Sequence, residues 1–220
     1  MIHLKKSEWL ILMGLLLLSL VPCVGGTFRL IELASGSEFL PENPRIRSAP
    51  IPVIIHLVGA IPYCILGVFQ FLPSFRKKYP TWHRRSGRML VGAGILAALS
   101  GLWMAHYYAF SDDLQGPLLY VVRLFVGVAM IAFILLGLSA VFKKRIPAHR
   151  AWMIRAYALG QGAGTQVLVV IPWLLTSGEP IGFTRDILMT LAWVVNIFAA
   201  ELIIKTYAWH PKQQTEPIAV

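Results

Sequence analysis

Six stretches of about 20 apolar residues, each bounded by polar or proline-rich segments, constrain this chain more than any other feature, because a helix of that length spans the bilayer hydrocarbon. They cover residues 9–28, 51–74, 89–110, 118–142, a run from 152 or 156 to 175, and 186–204. With 57% hydrophobic and only 14% charged residues in 220 positions, the chain has more apolar surface than a soluble core can hide. The pattern predicts an all-α, polytopic membrane helical bundle with six transmembrane helices. Residues 1–28 hold the first helix, 29–50 an outer loop broken by Pro41, Pro44 and Pro50, and 51–175 a four-helix core. Residues 176–206 add an outer loop and the sixth helix, and 207–220 form a tail. The basic start and small residues of 1–28 also suit a signal peptide; an uncleaved helix is the reading adopted.

The formal charge of +10 does not point to nucleic acid, since the basic residues form short clusters between apolar runs. Six spans put both termini on one side. That side collects 15 Lys and Arg, mostly in the turns 75–88 and 142–150, and the other side holds 5: Arg29, Arg45, Arg47, Arg123 and Arg185. The positive-inside rule then predicts cytoplasmic termini and cytoplasmic basic turns. The expected partners are the lipid bilayer and its anionic headgroups, with a membrane protein partner or a homo-oligomer left open. Cys23 and Cys64 lie in apolar runs at no metal-binding spacing.

The two basic turns repeat one another. Phe75-Arg76-Lys77-Lys78-Tyr79-Pro80-Thr81-Trp82-His83-Arg84 matches Phe142-Lys143-Lys144-Arg145-Ile146-Pro147-Ala148-His149-Arg150 with one residue of slippage, and Ile54-Ile55-His56-Leu57 aligns with Val121-Val122-Arg123-Leu124. The four-helix core therefore reads as a duplicated helical hairpin with a pseudo-twofold axis along the membrane normal. His83, Gly87, Gly94, Ala98 and Gly101 form a small-residue stripe on the third span, and His149, Met153, Ala156, Gly160 and Gly164 form one on the fifth.

A membrane b-type haem needs two imidazoles facing each other from different helices, room for a flat macrocycle, and cations for its propionates. His83 and His149 meet that requirement as metal ligands, with Arg84, Arg88, Arg150 and Arg155 as cations. Interfacial anchoring is the alternative: His-Arg pairs bind lipid phosphate while Trp82 and Trp152 sit at the headgroups. Both readings stand on the sequence. His56 and His106 make a second, outer layer about 35 Å from the first along a helix rise of about 1.5 Å per residue. Arg123 occupies the repeat position of His56, so that layer lacks symmetry. Gln161, Gln166, Asn196 and Glu201 are the other polar residues within spans, and Glu201 has Lys205 four residues on. No nucleophile with its base, phosphate loop or carboxylate dyad occurs.

His56-Leu57-Val58-Gly59, Gly67-Val68-Phe69-Gln70-Phe71-Leu72-Pro73, His83-Arg84-Arg85-Ser86-Gly87-Arg88 and His149-Arg150-Ala151-Trp152-Met153-Ile154-Arg155 resemble an uncharacterised family of bacterial multi-pass membrane proteins over roughly residues 50–170. The resemblance implies a bacterial inner-membrane protein and brings no established activity. The core also resembles cytochrome b561, whose four helices bind two haems through two histidine pairs. That resemblance implies one pair at His83 and His149 and half of another at His56, with Arg123 standing where a histidine is needed. The expected function is b-type haem binding and electron transfer; the alternative is a small transporter or an accessory subunit whose basic turns contact lipid or partner.

Overall fold

The computed structural model describes residues 4–209, with side chains through 206, and among these all regular structure is helical. The expected tail beyond residue 209, including Lys212, lies outside them. The elements are α1 (Lys6–Ser35), α2 (Pro44–Ser48), α3 (Pro50–Gly67), α4 (Pro73–Lys78), α5 (Pro80–Tyr107), α6 (Pro117–Phe142), α7 (Ile146–Gly160), α8 (Gly162–Ser177) and α9 (Gly182–Trp209). Five of them begin on proline. The ring presets a helical φ, and its missing N–H falls where a helix has no acceptor for one.

Several boundaries differ from the apolar runs. Helix α1 outruns its apolar stretch and stops at Gly36, whose φ of 73° closes the end with an N–H bond to Glu32 O at 2.9 Å. The second span ends at Gly67 and tightens into a 3-10 turn over Val68–Phe71. Val68 and Leu72 are fully buried there, so this turn is part of the core. The basic turns are largely helical, because α4 carries Arg76 to Lys78 and α5 already includes His83. The fifth span is not continuous: α7 and α8 meet at a bend of 46°.

Five helices are long and apolar enough to cross a membrane, and the bent α7–α8 pair taken as one span makes six. Helices α3, α5, α6 and α7 form a closed ring in that order, so α5 and α7 face each other across one diagonal. Outside the ring, α1 packs on α3 and α8, while α9 packs on α6, α7 and α8. Glu8 at the start of α1 bonds to Ser74, and Glu201 near the end of α9 bonds to Arg155. Both ends of the described chain therefore lie at the end of the bundle with the basic turns, called the basic end below.

Glycine lets the ring close. A Cβ at Gly59 would lie 2.6 Å from Ala93 O, so α3 and α5 touch backbone to backbone. Gly94 and Gly160, equivalent in the two hairpins, both receive the ring of Tyr63, to which their Cβ atoms would come within 2.7 Å. One aromatic side chain thus fills the diagonal between α5 and α7 at mid-height.

Candidate functional site

At the basic end, His83 on α5 and His149 on α7 stand across the ring diagonal. They lie within electrostatic reach of each other, as do Arg76 and Arg84 of His83. His149 Nδ1 and Gly137 O are 2.8 Å apart, a bond in which the imidazole N–H donates and Nε2 keeps its lone pair. His83 Nδ1 is buried and, among the described residues, has no hydrogen-bond partner. One imidazole is thus oriented by a backbone carbonyl, and the other retains an unused buried nitrogen.

The arginines stand at different depths. Arg84 and Arg88 are exposed on α5, and Arg150 is half-buried on the first turn of α7. Arg155 is already engaged: its Nε and Nη2 donate to Glu201 Oε1 and Oε2 at 2.5 and 2.9 Å, and its guanidinium lies 4.7 Å from the centre of the Trp152 ring. This forked pair joins α7 to α9, and Glu201 turns to Arg155 where helical spacing suggested Lys205. The tryptophans pack against protein. Trp82 meets Phe75 edge-on at 4.9 Å, and Trp152 lies 5.4 Å from Phe133.

The outer histidines are not assembled as a pair. His56 Nδ1 bonds to Ala97 O at 2.8 Å, and the ring rests 3.6 Å from where a Cβ on Gly101 would be. His106 is exposed and reaches Tyr120 Oη on α6 at 2.9 Å. Arg123 donates to Gln115 Oε1 and lies over Phe110, with neither Asp112 nor Asp113 as its partner.

A polar network that the sequence did not disclose surrounds the α7–α8 bend. Breaking the helix at Gln161 strips the carbonyls of Ala158, Leu159 and Gly160 of their usual partners, and other helices supply donors. Asn196 Nδ2 reaches Ala158 O at 2.9 Å, Trp193 Nε1 reaches Leu159 O at 3.3 Å, and Cys64 Sγ reaches Gly160 O at 3.5 Å. Gln161 accepts from Ser19 Oγ and donates to Tyr157 Oη, which donates to Cys64 O at 2.6 Å. Gln161 and Asn196, two of the polar residues the sequence places within spans, are therefore committed to joining α1, α3, α7 and α9.

A haem at the basic end can be weighed against this geometry. Two imidazoles on diagonal helices are a donor set that a haem iron would take: His149, held at Nδ1, would bind through Nε2, and His83 would bind through its own Nε2 with its buried Nδ1 left without an orienting acceptor. The interior beyond them is occupied, because Tyr63 fills Gly94 and Gly160, and Met153 comes within 2.5 Å of a Cβ on Gly137. The donor set therefore fits at the rim of the bundle only. Among the described residues no three His, Cys, Asp or Glu side chains gather as a metal centre.

No curated protein and no solved structure matches the chain. A family profile matches residues 53–204, reaching beyond the motifs of the basic turns and through most of α9. This span takes in the ring, the bend and the helix that completes it, and the chain belongs to the family described as "Predicted membrane protein (DUF2306)".

Proposed function

We propose that this membrane protein binds b-type haem at its basic end through His83 and His149, and serves electron transfer at the surface of a bacterial inner membrane. The observation that carries the reading is the hydrogen bond from His149 to Gly137 O, which orients the ring and leaves Nε2 as the nitrogen that would hold the iron, with His83 across the ring diagonal as the second imidazole. Arg84, Arg88 and Arg150 supply positive charge at the rim for propionates. Arg155 holds α7 against α9 and so fixes the depth at which His149 is presented. Haem, when bound, supplies one-electron exchange; the chain supplies orientation, a dry inner wall formed by Tyr63 and Met153, and the basic surface.

A reduced-minus-oxidised optical spectrum of protein purified after expression with ample haem tests this. Soret and alpha bands are expected, and His149→Ala and His83→Ala should each abolish or shift them. A bandless spectrum, or bands unchanged in both variants, removes the haem reading and leaves a basic surface for anionic headgroups or a partner subunit.

A further inference from the structure

The opposite end of the bundle holds a cluster with no part in that proposal. Arg45 on α2 and Arg123 on α6 both place their guanidinium over the Phe110 ring, at 4.4 and 5.0 Å from its centre. Arg185 on α9 lies within electrostatic reach of both. Two helices distant in sequence thus aim like charges at one ring, and a third brings Arg185 near them. The carboxylate of Asp186, only 1% exposed, offsets part of the charge of Arg123, but its two oxygens accept from the backbone N–H groups of Gly116 and Leu119 at 3.1 and 3.0 Å, capping α6. Glu179 reaches Arg185 only at 3.8 Å and is itself 71% exposed. Arg45 Nη1 and Arg185 Nε are buried and, among the described residues, find no acceptor. Burial and the charge of Arg185 both push the Arg45 guanidinium below its ordinary pKa.

Like charges held together with buried donors unsatisfied are costly unless an anion completes them. We infer that Arg45, Arg123 and Arg185, set around Phe110, form a binding site for a phosphate group, either free or carried by a phospholipid headgroup. A tetrahedral oxyanion offers acceptors to three guanidinium groups at once, whereas a planar carboxylate suits a single fork. The way in is past Arg185, whose side chain is 21% exposed.

Delipidated protein in detergent is heated with inorganic phosphate and with chloride at equal ionic strength. In parallel, protein in phosphatidylcholine nanodiscs is compared with and without phosphatidylglycerol. Wild type should gain about 3 °C in Tm from phosphate, from phosphatidylglycerol, or from both. A response to phosphate identifies a soluble anion, and a response to phosphatidylglycerol alone identifies a headgroup. Arg185→Gln, at the way in, should lose most of the gain, and Arg123→Lys should lose it while keeping the charge. If Arg123→Lys does not fold, Arg185→Gln decides. No gain in either arm, or a full gain in Arg185→Gln, overturns the proposal.

Discussion

Gly164 on α8 has almost no space in front of it: a Cβ there would sit 2.1 Å from the main-chain oxygen of Leu18 on α1. That neighbour is backbone and cannot rotate aside, so Gly164→Ala should force α1 and α8 apart and cost about 1–3 kcal/mol. Gly92→Ala, on an exposed face with nothing within 4 Å, should leave stability unchanged or slightly higher. Thermal unfolding of the two variants in one detergent separates the cases, and equal Tm values would show that the α1–α8 contact is not as close as described. The small-residue stripes on the third and fifth spans are legible because glycine at helical spacing marks close approach. What fills them is not. Tyr63 stands with His56, Gly59, Gly67, Gln70 and Ser74 on a small-and-polar stripe of the second span, which marks its face but not its reach to Gly94 and Gly160 on two other helices. The buried acids escaped for the same reason. Glu8 looks like an ordinary charge in a basic leader, yet it is 3% exposed and accepts from Ser74 N and Oγ at 2.7 and 2.6 Å, capping α4 from another helix.

Among elements, the α7–α8 bend depends most on distant residues. Its carbonyls are served from α9 and α3, and Asn196 also accepts from Thr165 Oγ1 at 2.7 Å. Asn196→Leu should therefore strand both Ala158 O and the Thr165 hydroxyl in an apolar setting. The expected loss is about 0.6–2 kcal/mol, since interhelical hydrogen bonds in membranes are worth that order. Trp193→Phe removes only the longer bond at 3.3 Å and should cost less. The order of the two Tm values is the check, and a Trp193→Phe loss exceeding that of Asn196→Leu would overturn this account. The apolar run 156–175 announces a membrane segment plainly, because hydropathy is local. The bend does not announce itself, because its compensating donors lie on other helices, Trp193 and Asn196 34 and 38 positions later and Cys64 96 positions earlier. The proline starts of α3 and α6 lie at the other extreme: the residue itself imposes the geometry, so those boundaries fall within one residue of the apolar runs, whereas α5 starts at Pro80, nine residues ahead of its run.

For the whole molecule, the ring of α3, α5, α6 and α7 with α1 and α9 outside makes the basic end and the Arg45 end two faces with different chemistry. The asymmetry of Lys and Arg predicts a cytoplasmic basic end, which labelling can check. Single cysteines replacing Lys78 and Asp112 should react with a membrane-impermeant thiol reagent from opposite sides, Asp112→Cys in intact cells and Lys78→Cys only after the membrane is opened. Cys23 and Cys64 are buried and should stay silent, so the wild-type protein serves as the blank. Reaction of Lys78→Cys in intact cells would invert the assignment. The bend also bears on the order of biosynthesis. A ribosome completes α7 and α8 before it begins α9, so the Ala158 and Leu159 carbonyls emerge before the side chains that bond them exist as part of the chain. The nascent protein must hold an unfinished fifth span, sheltered by the insertion machinery or by water, until its last helix arrives.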